Sequence, residues 1–411
     1  MVPRASLPKF RLKMMFLAIA GACAGVSATS PALAFQIDSG NPDLRMSWDN
    51  TVKYSAAWRV GDIKSRVADN SIGVQANTND GDQNFDKGLI SNRLDLLSEF
   101  DLRYKRKYGL RLSGAAWYDD VYNKSNDNPG AFGGALVNSR SVDYDEFTDD
   151  TEKLHGRKAE LLDAFVYGRF DVADKPATVR LGRQYTPMDD IASIIGTKVY
   201  DVVSVVPIIG NGDYNRVDNA ITYLSPAVGN TTFQVQYSLG EERSSADASP
   251  DFGKQFSLHA LHASGPLTAG IGLMRVSDAD GAVAGKQGKD AVLLVGAYDF
   301  GPMKLSAYYD QEDKGTEKMK VMGLAAAFKV GDQTTLSVGV AQAKDVTGVA
   351  SALNDDARIF TLQANHNLSK RTALYAHLTA VSNDDDAALG FNSPTPGGSS
   401  NGIQFGIRHR F

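Results

Sequence analysis

The chain has 411 residues, with 43 basic against 48 acidic side chains and a formal net charge of −5, so it lacks the basic excess a nucleic-acid binder carries. Its single cysteine, Cys23, rules out a disulfide framework. Outside the first thirty-four residues, no apolar run approaches the ~20 residues of a membrane-spanning helix; Ala291 to Ala297 is a representative one.

Residues 1–34 read as a cleaved signal peptide. Arg4, Lys9, Arg11 and Lys13 form a positive start, Met14 to Ala28 an apolar run, and Ala32-Leu33-Ala34 a small-x-small cleavage site. A lipid-anchored start at Cys23 is disfavoured, because Ala20-Gly21-Ala22 lacks the usual leucine. Cleavage before Phe35 removes four basic and no acidic residues, which takes the net charge to −9 and leaves 35–411 as the folded unit, without a thiol.

From there the chain reads as two-faced strands. In the first, Met46, Trp48, Val52, Tyr54, Ala56, Trp58 and Val60 alternate with Arg45, Asp49, Lys53 and Arg59. The second runs over about 89–104 and the third over 108–118, followed by 160–170, 177–185, 215–224, 231–240, 255–263, 267–276 and 290–299. The others are expected at 303–310, 319–329, 333–342, 358–367, 371–381 and 402–411, sixteen in all. The last is the clearest: Ile403, Phe405, Ile407, His409 and Phe411 alternate with Gln404, Gly406, Arg408 and Arg410. Seven connections are short, such as Lys105-Arg106-Lys107 and Ala173-Asp174-Lys175-Pro176, and they alternate with longer polar ones. An even strand count, strict short–long alternation and an apolar face with no second layer to cover it predict a closed all-β fold. The expected architecture is a sixteen-stranded antiparallel transmembrane β-barrel with short periplasmic turns and long extracellular loops. Trp48, Trp58, Tyr104, Tyr118, Tyr298, Tyr308 and Phe411, near strand ends, are expected to form its interfacial aromatic girdles.

Several motifs resemble the trimeric general porins of Gram-negative bacteria. They are Gly182-Arg183-Gln184-Tyr185, Asn215-Arg216-Val217-Asp218-Asn219, Tyr298-Asp299-Phe300-Gly301, Leu368-Ser369-Lys370-Arg371-Thr372 and the closing Gly406-Ile407-Arg408-His409-Arg410-Phe411. This likeness spans about 178–411. The N-terminal part, with Trp48-Asp49-Asn50-Thr51-Val52-Lys53-Tyr54 and Ser113-Gly114-Ala115-Ala116-Trp117-Tyr118, is similar instead to a family of uncharacterised proteobacterial outer-membrane proteins. The resemblance implies a homotrimeric outer-membrane porin, a water-filled channel for diffusion of small hydrophilic solutes and ions, with no catalytic step and no cofactor. The alternative is a substrate-selective channel for organic acids or aromatic compounds. Implied partners are outer-membrane lipid and lipopolysaccharide, and the barrel-assembly machinery acting on Phe411.

In such porins the third long loop folds into the barrel. Here it covers 186–214, carries Asp189, Asp190, Asp201 and Asp213, and contains the apolar stretch Val202 to Ile209, expected to pack on the inner wall. Arg45, Arg93, Arg111, Arg180, Arg183 and Arg216 are expected on the facing wall, where a row of guanidinium groups opposite acids would set a transverse field. Each of them either lines the pore or pairs with a wall acid such as Asp95 or Asp163.

The loop over about 119–159 is acidic through Asp143-Tyr144-Asp145-Glu146 and Asp149-Asp150-Thr151-Glu152, which suits a solvated loop, a divalent-cation site or a subunit latch; Asp384-Asp385-Asp386 reads the same way. Gly398-Ser399-Ser400-Asn401-Gly402 matches a nucleophile elbow in pattern but lacks the strand–turn–helix setting. His259 and His262, at odd spacing on a strand, point to opposite faces and share no metal. No enzyme, metal site or nucleotide fingerprint is expected.

Overall fold

The computed structural model describes residues 35–61, 84–127, 146–195, 214–240, 253–277, 288–314, 317–347, 354–384, 387 and 397–411. Its strands are β1 (Phe35–Ile37), β2 (Leu44–Arg59), β3 (Gly88–Tyr104), β4 (Tyr108–Asp119), β5 (Arg157–Val172), β6 (Lys175–Tyr185), β7 (Arg216–Leu224), β8 (Thr231–Ser238) and β9 (Gln255–Ser264). They continue as β10 (Leu267–Val276), β11 (Lys289–Asp299), β12 (Met303–Lys314), β13 (Glu317–Val330), β14 (Thr334–Thr347), β15 (Asn354–Asn367), β16 (Thr372–Asn383) and β17 (Ser399–Arg410). From β2 onward each strand pairs antiparallel with the next, and β17 pairs back onto β2 with Phe405 opposite Ala56, closing a ring of sixteen. The short β1 is an addition: it pairs with β2, Phe35 opposite Trp48, just past the point where the Phe411 amide donates to the Asn50 carbonyl at 2.8 Å.

Period-two alternation explains why these segments form a ring. On β16 the outward Leu374 and Leu378 are exposed, while the inward Tyr375, His377 and Thr379 are buried. On β8 Phe233, Val235 and Tyr237 point out and Gln234, Gln236 and Ser238 point in. Leu181, Ile221, Leu294, Leu324, Val340, Phe360 and Phe405 extend the outer band across the sheet, all exposed. A contiguous apolar belt of this extent, with glutamine, serine and threonine inside, needs hydrocarbon outside and water inside. No helix among the described residues is long and apolar enough to cross a membrane, so the crossing falls to the strands.

Strand limits depart from the expected ones mainly at the loop-side ends. β12 runs to Lys314, β14 to Thr347 and β15 starts at Asn354, each several residues beyond the alternating core. Those extensions clear the apolar belt, so hydropathy no longer alternates although the hydrogen-bond ladder continues. Tyr308 is a correction. It lies inside the ring, packed against the interior cluster, whereas Trp48, Trp58, Tyr104, Tyr118, Tyr298 and Phe411 are exposed as a girdle requires. Three inward tyrosines face a glycine directly across the ladder, Tyr167 on Gly109, Tyr308 on Gly323 and Tyr375 on Gly406. Each ring lies where a β-carbon on that glycine would stand.

Candidate functional site

The segment after β6 builds the first part of the site. Thr186 caps the short helix α1 (Pro187–Ala192): its hydroxyl oxygen accepts from the Asp189 amide at 3.2 Å, and Pro187 supplies the preset φ of a first turn. A 3-10 turn, Ser193–Ile195, follows. Met188, Ile191, Ile194 and Ile195 are buried with Met274, Leu293, Val295, Ala297 and Ala325 on the inner face of β10 to β13. Gly270 and Gly272 make room: a β-carbon on Gly272 would sit 2.6 Å from Ile191 Cδ1 and Met188 Sδ. Polar groups of the wall complete the seat. His259 Nδ1 donates to the Pro187 carbonyl at 2.9 Å and Ser306 Oγ to the Ile195 carbonyl at 2.6 Å. The Tyr214 hydroxyl donates to Asp310 Oδ1 at 2.6 Å, and Thr186 Oγ1 to the Tyr214 carbonyl at 2.7 Å, tying the far end of the loop to its start. The expected anchor, Val202 to Ile209, lies outside the described residues together with Asp201 and Asp213; the visible anchor is Met188 and Ile191. His259 thus faces inward, and His262 faces outward to Thr231 Oγ1 at 3.1 Å.

Elsewhere inside the ring a cavity of about 770 Å³ is bounded by β2 to β7 and by β15 to β17. Its wall is an ion network. Arg93 holds Asp95 at 2.6 Å, and Lys53 approaches the same carboxylate at 3.3 Å. Arg111 binds Glu99 at 2.5 Å, Asp101 at 2.7 Å and Asp163 at 3.3 Å. Arg216 takes the other Asp163 oxygen at 2.7 Å. Lys158 meets Glu160 at 2.7 Å and Arg183 meets Asp218 at 2.6 Å. Counted over β2 to β7, these cations and carboxylates cancel. Aromatic faces hold the guanidiniums flat: Arg216 lies 3.7 Å from the Tyr185 ring centroid and Arg93 4.5 Å from that of Trp117.

Two irregularities aim this network. Between Leu112 and Gly114 the β4–β5 register slips, so Leu162 and Asp163 both oppose Ser113, and Asp163 turns inward to accept from Ser113 Oγ at 2.7 Å. Between Gly182 and Gln184 the β6–β7 register slips again, with Asp218 and Asn219 opposite Arg183. Gly182 there has φ +126, and a β-carbon would strike the Ala164 carbonyl, so the position demands glycine.

The six expected wall arginines therefore divide. Arg93, Arg111 and Arg216 border the cavity, each already paired with acids. Arg183 is spent on Asp218 and the Leu161 carbonyl. Arg180 stacks 5.4 Å from the Phe165 ring centroid, while Asp189 and Asp190 stand in the first turn of α1. Arg45 lies at the turn-side end of β2, opposite Arg103, away from the cavity. Residues not singled out from the sequence also border it: Lys53, Trp117, Asn365, Asn367, Tyr375, His377, Arg408 and Arg410. The alternation of β17 was the available signal for the last two.

Asp163→Asn is expected to leave Arg111 and Arg216 sharing too few carboxylates. Stability should fall by about 3 kcal/mol, read as a lower urea midpoint, because a buried charge pair loses one partner. The reversal potential in a salt gradient should move toward anions. Unchanged values of both would show that the network organises nothing.

The loop between β4 and β5 is pinned at the rim. Phe85, Tyr122 and Phe147 pack with centroids 5.0–5.7 Å apart, and His155 stacks on Tyr122 at 5.1 Å. Burial, then the charge of Arg93, holds the His155 imidazole below its ordinary value. Asp150 and Glu152 pair with Lys153 and Arg157 at 3.6 and 3.2 Å. Residues 128–145 lie outside the described set, and no group of three or more metal-binding side chains occurs among the described residues. Asp384 pairs with Arg358 at 3.4 Å, and Ser399 opens β17 rather than a helix.

A closed sixteen-strand barrel with an apolar outside, a charge-lined inside and a loop helix seated on the inner wall is the architecture of an outer-membrane porin. The comparisons agree. Residues 14–186 match a family described as "Protein of unknown function (DUF1302)". "Outer membrane porin protein 32" of Delftia acidovorans is 29% identical over 346 residues, covering 79% of this chain and 93% of the relative. An anion-selective porin from Comamonas acidovorans superposes with a TM-score of 0.58 at 20% identity, over 90% of this chain and 100% of that one. OmpT of Vibrio cholerae, in its trimer form, gives 0.54 at 12% identity over 90% and 99%. The chain thus resembles porins in sequence and in fold, while its N-terminal part matches a family without an assigned role.

Proposed function

We propose that this chain is an outer-membrane porin through which small hydrophilic solutes and ions diffuse, with the loop over 186–214 setting the constriction. The observation that carries it is the inward seat of α1 beside a charge-lined cavity. A helix packed on the wall narrows the bore on that side, and the remaining passage borders the ion network of β2 to β7. Solutes then cross between fixed charges of both signs, and passage needs no chemical step. The known relatives are channels rather than enzymes, which supports reading this one as a non-enzyme.

The trimer form of the Vibrio cholerae neighbour supports a homotrimer. Export by a signal peptide over 1–34, contact with lipid and lipopolysaccharide through the apolar belt, and insertion by the assembly machinery through Phe411 belong to the same reading. A substrate-selective channel for organic acids or aromatic compounds is favoured by one feature, the pairing of arginines with Trp117 and Tyr185 along the cavity.

Purified protein added to a planar bilayer should give stepwise, ohmic conductance in potassium chloride. A silent bilayer, with protein shown to be inserted, would overturn the channel reading; conductance that saturates with an aromatic acid would favour the selective one.

A further inference from the structure

The charges of the cavity are not spread evenly around it. On β2 to β7 each cation that borders it, Lys53, Arg93, Arg111 and Arg216, has a carboxylate partner. On β17, Arg408 and Arg410 project inward two residues apart, about 7 Å along the strand. Neither side chain has an ion-pair or hydrogen-bond partner among the described residues. Their cross-strand neighbours on β2 are Lys53, engaged by Asp95, and Thr51. The carboxylate of Asp49, further along the same face of β2, makes no ion pair with either arginine.

The surroundings of the two arginines suit a planar organic anion. Tyr375 lies flat over Gly406, the residue between Gln404 and Arg408 on the inward face, and stacks on His377 at 4.9 Å. Asn365 and Asn367 on β15 add neutral amides to the same cavity. A guanidinium fork matches a carboxylate through two parallel hydrogen bonds, and an unpaired one gives up no existing ion pair to do so. The paired arginines of β3, β4 and β7 would have to release an acid first.

We propose that Arg408 and Arg410 form a binding station for small organic carboxylates in the channel, handing the anion from one guanidinium to the next along β17. This rests on the channel reading above and adds to it the solute class and the residues that select it. The arginine face that sets selectivity is then the closing strand, not the wall arginines whose charge the acids of β3 and β5 already balance.

The test is a bilayer recording on the full barrel, refolded in detergent and checked for heat-modifiable migration. In a potassium chloride gradient the unaltered channel should reverse on the anion side, and added potassium succinate should reduce its chloride current. In R408Q/R410Q the reversal potential should move toward cations, and the succinate concentration for half-block should rise about tenfold, as expected for losing charge-assisted hydrogen bonds. R408K/R410K, which keeps the charge but loses the fork, should keep the reversal potential and weaken the block. Should R408Q/R410Q fail to fold, the lysine pair carries the test: block as tight as in the unaltered channel refutes the fork. Unchanged selectivity and block in the glutamine pair, or cation preference in the unaltered channel, would overturn the station while leaving the porin reading intact. Absence of any conductance would instead overturn the porin reading itself.

Discussion

Ile191→Asp should enlarge the channel. Ile191 is fully buried between α1 and the inner wall, against Gly270, Gly272 and Leu293. An ionised carboxylate cannot remain in that apolar contact without a partner, and the nearest escape is for the helix to leave its seat. Helix α1 would swing off the wall, and single-channel conductance should rise by about twofold, since passage depends on the open width of a pore. Gly272→Leu should act in the same direction by steric means, because even a β-carbon there meets Ile191 and Met188 at 2.6 Å. The barrel itself should survive both, as its ladder does not depend on α1. If both variants fold and conduct as the unaltered channel does, the seated helix is not what narrows the passage.

Leu324→Arg tests the other side of the wall. Leu324 sits midway along β13 with its side chain on the outer face, 53% exposed, between Ala307 of β12 and Val340 of β14. In hydrocarbon a guanidinium at mid-depth costs roughly 2–4 kcal/mol. The loss should appear as a lower urea midpoint for barrel refolded into lipid vesicles, followed by heat-modifiable migration. Asn365→Lys, on the water-filled side, should cost far less because its charge stays hydrated. Equal stability of Leu324→Arg and the unaltered barrel would mean that lipid does not contact that face.

Most of the ring was legible because each strand must satisfy two solvents at once. β8, the stretch from Leu374 to Thr379 of β16 and the stretch from Ile403 to Arg410 of β17 alternate cleanly, and their faces follow from the letters alone. What escaped the letters depends on pairing. Tyr308 and Tyr309 are adjacent, so one must point each way, and Tyr308 shares the inner face of β12 with Ser306, Asp310 and Glu312, where it meets Gly323 of β13. The bulge that turns Asp163 inward leaves no compositional mark, yet it decides which arginines are neutralised. Candidate arginines could be nominated by residue type, but Arg111 and Arg216 meet at Asp163, 52 and 53 positions away in the chain, and Arg183 meets Asp218 at 35. That is why Arg111 and Arg216 reached the cavity already engaged, whereas Arg93 pairs with Asp95 two positions along its own strand. Arg408 and Arg410, plainly on a charged face, drew no notice as a site because having no partner is a property of the assembled wall. Of the loop acids, Asp189 and Asp190 stand in the first turn of the helix that Thr186 and Pro187 open.

The flat tyrosines have a consequence for calibre. An upright phenol would project its full length toward the axis, whereas Tyr167, Tyr308 and Tyr375 occupy the footprint vacated by Gly109, Gly323 and Gly406 and present only the thickness of an aromatic plane. The lining at these points is therefore a veneer rather than a set of pegs. Placing alanine at any of the three glycines would tip the facing ring off the wall, and a substitution of a single methyl group would act on permeation as though a much larger side chain had been added.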